Sequence, residues 1–154
     1  MRIGFNVKSL RFDSAAVRKA LDRMTYRVFV RFGQYVRKVA RHSIRSRRGP
    51  SRPGKPPHSQ TGLLKAGIYY GWDAGERSVV IGPARLRGGQ TYGSVTVPEL
   101  LEYGGTVRVS GRAARRLGVR RGTRARYEAR PYMQPAFEAG QARLDDFWAQ
   151  TLKR

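Results

Sequence analysis

The sequence predicts an α+β fold: a long N-terminal helix and a C-terminal helix packed on a small, mostly antiparallel β-sheet, with extended basic loops. Three observations predict it. Apolar residues recur at steps of three and four in Val17, Leu21, Met24, Val28, Phe32, Tyr35 and Val39. Around residues 64–72 the period changes to two, and a turn-forming Asp73-Ala74-Gly75-Glu76 is followed by a second apolar run. After Pro135 the helical spacing returns. Each helix carries one apolar stripe, and a stripe must be covered, here by one face of the sheet.

The first helix is expected over residues 13–46. Asp13 or Ser14 supplies a capping oxygen for the free N–H groups of its first turn, and Gly49-Pro50 ends it. Ala20, Val36, Ala40 and Ile44 widen its stripe. At 1.5 Å per residue it spans roughly 50 Å, against a radius of gyration of about 15 Å for a domain of this length. It must therefore bend, with Gly33 the natural place, or let its Arg41, Arg45, Arg47, Arg48 end project toward a partner. Arg18, Lys19, Arg23, Arg27, Arg31, Arg37, Lys38 and Arg41 occupy the remaining faces as a solvated surface, with Asp22 the one acid among them. Ahead of the helix, Ile3, Phe5 and Val7 alternate as a short strand.

Residues 47–60 read RRGPSRPGKPPHSQ; four prolines and two glycines exclude regular structure. The segment is a linker, or an arm that orders against a neighbouring subunit or nucleic acid; removing an arm leaves the body folded. A strand opens after Thr61-Gly62 and runs to Trp72, with its return strand at 77–81 stopped by Gly82-Pro83. Trp72 and Tyr70 belong to the core and Tyr69 to the surface. Residues 84–97 form a loop. Pro98 to Gly105 is one helical turn, with Pro near its start and Gly at its end. A short strand at 106–110, a basic loop or short helix at 111–122 and a last strand at 123–130 follow. Pro135 occupies the first position of the C-terminal helix, whose apolar face is Phe137, Leu144, Phe147 or Trp148, and Leu152.

The 154 residues suffice for one domain, 1–154, with a real core. The 32 basic and 10 acidic side chains leave a net charge of +22. Such an excess attracts polyanions, although a GC-rich coding bias also favours Arg over Lys. The absence of cysteine excludes disulfides, thiolate zinc sites and cysteine nucleophiles. The opening residues have no long apolar run, and no uncharged stretch is long enough to cross a bilayer, so a soluble cytoplasmic chain without membrane contact is expected.

No catalytic, cofactor-binding or metal-ligating set emerges. His42 and His58 have no acid nearby in sequence, Glu99 and Glu102 share one short turn, and adjacent Asp145 and Asp146 cannot both face one site. Metal-dependent hydrolysis gathers several carboxylates, and phosphate-binding loops end in Gly-Lys-Ser/Thr; neither pattern is present. The expectation is no enzyme and no cofactor. If the chain were an enzyme, Glu99 and Glu102 would be the residues to test. The nucleic-acid signal is electrostatic and lacks zinc spacings or an RNP-type signature. A freestanding DNA- or RNA-binding protein is the alternative reading.

The order of local signals points further. An Arg-rich helix precedes Ser51-Arg52-Pro53-Gly54-Lys55-Pro56-Pro57 and Thr61-Gly62-Leu63-Leu64. Then come Val79-Val80-Ile81-Gly82-Pro83, Leu101-Glu102-Tyr103-Gly104-Gly105 and Arg130-Pro131-Tyr132-Met133-Gln134-Pro135-Ala136-Phe137. This succession, over residues 37–152, resembles the tail-component family of long-tailed, lambdoid-type bacteriophages and prophages. Its members are small neck proteins that complete tails and join heads to tails. The basic stretch at 111–126 departs from the pattern.

The resemblance implies a structural virion protein without an active site, assembled in the host cytoplasm. It implies a homo-oligomeric ring between head-completion or adaptor proteins and the tail terminator or tail tube, with genomic DNA passing its lumen. The candidate subunit interface comprises Arg45, Arg47, Arg48, Arg52, Pro53, Lys55, Pro56, Pro57, Glu102 and Tyr103, with residues 84–97 as a second arm. Candidate contacts to DNA or an acidic partner are Arg112, Arg115, Arg116, Arg120, Arg121 and Arg124.

Overall fold

The computed structural model describes residues 14–84, 91–92, 95–109, 111, 114–115 and 118–153. The expected strand at residues 2–12 and the Asp13 cap lie outside them. Helix α1 spans Ser14–Ser43, a short turn α2 spans Leu63–Ala66, and β1 (Ile68–Asp73) and β2 (Ser78–Pro83) form a hairpin. Strands β3 (Thr91–Tyr92) and β4 (Val95–Thr96) precede helix α3 (Val97–Tyr103). Strands β5 (Gly105–Arg108) and β6 (Arg124–Tyr127) are followed by helices α4 (Met133–Gln141) and α5 (Leu144–Leu152). The class is α+β, as the periodicities predict.

The layering differs from expectation. The described strands form three separate two-stranded antiparallel ladders, β1–β2, β3–β4 and β5–β6. The C-terminal helices pack on α1, while the β1–β2 hairpin covers a neighbouring face of α1. On the hairpin side, Trp72 meets Tyr26 edge-on at 5.4 Å and stacks on Phe29 at 6.1 Å. On the other, Phe32 meets Phe137 at 5.6 Å and Tyr35 meets Phe147 at 5.8 Å. Rings in such edge-to-face arrangements add to area burial. One wide stripe on α1 thus serves two partners, and α1 is the central element.

The core centres on Val28, Phe32, Val36, Ala40, Ile44, Ile68, Tyr132, Ala136 and Phe147. Of the residues expected to widen the stripe, Val36, Ala40 and Ile44 join Val28 and Phe32 in the core while Ala20 is only half-buried, and the expected leading members Val17 and Leu21 are exposed. The basic end of α1 does not project: Ile44 is fully buried just past it. Gly33 serves close approach, since a Cβ there would lie 2.9 Å from Tyr70 Cδ2 and Val79 Cγ2. Two of the expected solvated arginines work internally. Arg37 donates from Nε to the Ile68 carbonyl at 2.8 Å, and Arg31 donates to Thr151 Oγ1 at 3.3 Å.

Other boundaries shift for identifiable reasons. The first strand starts at Ile68, because Leu63–Ala66 forms a helical turn closed by Ala66 N–H to Gly62 O and Gly67 N–H to Leu63 O. The hairpin turn falls where expected, with Asp73 Oδ1 accepting from the N–H groups of Gly75 and Glu76. Gly82 and Pro83 continue β2 rather than stopping it, paired with Tyr69 and Ile68. The expected loop at 84–97 contains the β3–β4 pair and the first residue of α3. The described part of 111–122 is helical at Gly111, Ala114 and Arg115 and turns at Gly118.

The C-terminal helix breaks between Gln141 and Leu144, where Arg143 leaves helical geometry and lays its guanidinium over the Tyr35 ring at 4.9 Å. Helix α4 approaches α1 through Gly140, where a Cβ would stand 2.6 Å from Val36 Cγ2 and 2.9 Å from Phe32 Cε2. Gly140→Ala raises helix propensity by about 1 kcal/mol. The clash outweighs that gain, and a net loss of about 1–3 kcal/mol is expected in urea unfolding.

Candidate functional site

Three of the segments that carry the resemblance, 51–57, 101–105 and 130–137, meet at one junction. Its first part is α3. Thr96 caps this helix by accepting from Glu99 N–H, and the Glu99 carboxylate accepts in return from Thr96 N–H at 2.8 Å. This reciprocal capping box, with Pro98 in the first turn, fixes where α3 begins. Gly104 ends it with φ +71°, donating its N–H to Leu100 O. A Cβ on Gly104 would lie 2.8 Å from Tyr127 O and 2.9 Å from Ala129 N, so only glycine lets the chain pass.

Capped in this way, α3 aims Glu102 at the start of α4. Glu102 is buried, and its carboxylate accepts from three backbone N–H groups: Tyr132 and Met133 at 3.0 Å on Oε2, and Gln134 at 2.8 Å on Oε1. Helix α4 has no side-chain cap of its own. Its next residue, Pro135, has no N–H to satisfy, which explains why this proline is accommodated at the third helical position rather than the first. The negative charge also meets the positive end of the α4 dipole.

The Pro-rich segment docks on the same junction. Gly54 donates its N–H to Ala129 O at 2.8 Å, and Arg130 donates from Nε to Ser51 O at 3.0 Å. Arg130 N–H in turn reaches Leu101 O at 2.6 Å. Ser59 N–H bonds Arg45 O, and Arg45 and His58 form a parallel bridge. Pro57, Ser51 and Ser59 are buried. Residues 47–60 are therefore docked on their own chain, and removing them would strip hydrogen-bond partners from Arg45, Ala129 and Arg130. The expectation of a detachable arm is corrected accordingly.

The predicted interface residues divide. Glu102 and Pro57 face inward and are unavailable to a partner. Pro56 is half-buried. Arg45, Arg47, Arg48, Arg52, Pro53 and Lys55 are exposed on the docked segment, and Tyr103 is 81% exposed beside the junction. Among the other cations, Arg115, Arg120, Arg121 and Arg124 are exposed on the β5–β6 excursion, while Arg112 and Arg116 lie outside the described residues. That excursion is closed by Val109 N–H to Thr123 O, Gly122 N–H to Val109 O and Val119 N–H to Ala114 O.

Tyr132 is 1% exposed, and its hydroxyl has no hydrogen-bond partner among the described residues. Burial, with the Glu102 carboxylate nearby, pushes the phenol well above its ordinary value. Among the described residues, no three His, Asp or Glu side chains come together as a metal would require. No described helix is long and apolar enough to cross a membrane. Sequence reasoning places Glu102 in the subunit interface; the pairing that buries it bridges about thirty residues and leaves no local signal. Searches of protein-family models, curated proteins and solved structures find no match to this chain.

Glu102→Ala leaves three N–H groups without their acceptor, and a loss of about 2–4 kcal/mol in thermal or urea unfolding is expected. Glu102→Gln keeps one oxygen and recovers part of it. Tyr132→Phe removes an unpaired hydroxyl and is expected to be neutral or stabilising near pH 7. The raised phenol favours the folded state up to the ordinary tyrosine value of 10.0, and that contribution fades as pH rises beyond it. Denaturation between about pH 9 and 11 should therefore show a smaller alkaline loss in Tyr132→Phe than in the parent chain.

Proposed function

We propose that this chain is a structural subunit of a bacteriophage neck, forming a ring that joins head-completion proteins to the tail terminator or tail tube. The reading rests on the ordered resemblance to the phage tail-component family. The observation that supports it best is that three of the resembling segments form one physical unit. The Pro-Gly-Lys-Pro-Pro loop, the Glu-Tyr-Gly-Gly turn and the Arg-Pro-Tyr-Met-Gln-Pro start of α4 are held together by Glu102, Arg130 and the Gly54 amide. The three segments then serve one folded junction, a structural role that needs no chemistry.

The surface around the junction suits assembly. Tyr103 stands out from α3 beside residues 81–83 at the end of β2, and Arg48 is exposed on the docked loop. Elsewhere Leu63, Val80 and Leu152 are also largely exposed. Closed rings use head-to-tail contacts, in which one surface of a subunit meets a different surface of the next. On this reading the chain acts by contact alone and has no substrate or cofactor.

Electron micrographs of particles made by the genome that encodes the chain should show a ring of copies at the head–tail junction. The double variant Arg48→Glu/Tyr103→Glu changes only exposed positions, so the purified chain should stay folded while heads and tails accumulate unjoined. Absence of the chain from the particles would overturn the proposal, as would full infectivity of the double variant.

A further inference from the structure

A second feature lies on the other side of the Pro-rich loop. The last turn of α1 and the loop enclose a basin of about 690 Å³. Arg45, Arg47, Arg52 and Lys55 line it with His42 and His58, and no acidic side chain does. None of these four cations is in an ion pair among the described residues. Across His42 the basin adjoins a shallower depression lined by Lys38, Arg41 and Lys65. The two cationic depressions share His42 and together form a track along one end of α1.

The track is held open before any ligand arrives. The loop is fixed by the Ser59–Arg45 and Gly54–Ala129 backbone bonds and by Arg130 on Ser51 O. Within it, Lys55 N–H closes a turn onto Arg52 O, and Ser51 Oγ bonds Lys55 O. The histidine Nδ1 atoms face the carbonyls of Lys38 and Gly49, at 2.7 and 3.3 Å. A preorganised loop avoids much of the ordering cost of binding.

We propose that this basin binds the phosphodiester backbone of nucleic acid. Its lining chooses between polyanions. A protein partner needs an apolar centre to its interface, and none of the large exposed apolar side chains lines the basin, whose only apolar contributions are Pro50 and Pro56. A phosphate chain needs no such centre, because neutralised phosphates release counterions and that release alone drives binding. No Phe, Tyr or Trp ring lines the basin, and its two imidazoles turn Nδ1 to backbone carbonyls, so the site is built for the phosphate backbone more than for the bases. The site differs from the Arg-rich β5–β6 excursion to which sequence reasoning assigned contact with DNA or an acidic partner. A single copy carries all of it, so it stands or falls independently of ring assembly.

Fluorescence anisotropy with a labelled duplex of about 20 base pairs tests the site across a salt series. The variant Arg47→Gln/Arg52→Gln/Lys55→Gln should keep the parent's melting temperature and weaken binding at least about tenfold at 100 mM salt. Its log K against log salt slope should be shallower by roughly 2–3, near 0.9 for each lost phosphate contact. The control Arg18→Gln/Lys19→Gln/Arg23→Gln removes equal charge from the exposed start of α1 and should weaken binding less than about threefold, as a distant and screened effect. Equal losses in both variants, no duplex binding at about 50 mM salt, or tighter binding to a polyglutamate peptide of matched charge would each overturn the proposal.

Discussion

The carboxylate of Glu102, accepting from three successive backbone N–H groups, is the interaction on which the rest of the fold depends. It joins the end of α3 to the start of α4, and α4 carries Ala136 and Gly140 onto α1. A buried carboxylate is costly unless its oxygens are satisfied, and here the backbone satisfies them. The same three amides would otherwise be orphan donors beside Tyr132, which is itself almost wholly buried. Each group thus cancels the desolvation cost of the other. The pairing also fixes direction: α4 can leave the junction only along the line of its own first-turn N–H groups.

Two glycines make the geometry possible. Gly104 lets α3 end against the backbone of 127–129, and Gly140 lets α4 lie against Val36 and Phe32. Between them, Arg130 touches three segments. Its backbone N–H binds the end of α3, its Nε binds the Pro-rich loop, and its Nη1 returns to Glu128 O at 3.1 Å. The loop is held by main-chain atoms more than by its own side chains. Its cations are consequently left facing outward.

Much of this was legible in the sequence, and the illegible parts share a cause. Apolar spacing located α1, and Asp73-Ala74-Gly75-Glu76 located the hairpin, because both signals are local. The double duty of α1 was hidden, since Tyr26 and Phe29 on one side and Phe32 and Tyr35 on the other merge into one broad stripe until Trp72, Phe137 and Phe147 separate them. Glu102 was hidden for a similar reason. Its position on a short turn resembles that of any surface acid, and its acceptor role exists only once residues 132–134 arrive. The loop at 47–60 was legible as irregular but not as docked, because composition does not reveal which carbonyls and amides a proline-rich segment will find.

The use of acids inside the fold bears on how copies of this chain could coexist. Glu102 caps α4, Glu99 caps α3, Asp73 closes the hairpin turn, and Asp22 meets Arg77 across to the hairpin at 3.3 Å. Acids committed to such local tasks leave little negative charge to offset 32 basic side chains. Around a closed ring that uncompensated charge would recur in every subunit, within reach of its neighbours on the scale of a Debye length of about 8 Å at physiological salt. Apolar contacts through residues such as Tyr103 would have to overcome that repulsion in each copy. A polyanion lying in the cationic tracks removes the repulsion and the self-repulsion of each α1 together. In a chain that assembled and also bound a phosphate backbone, each event would favour the other through this shared relief of repulsion, although the basin itself needs only one copy.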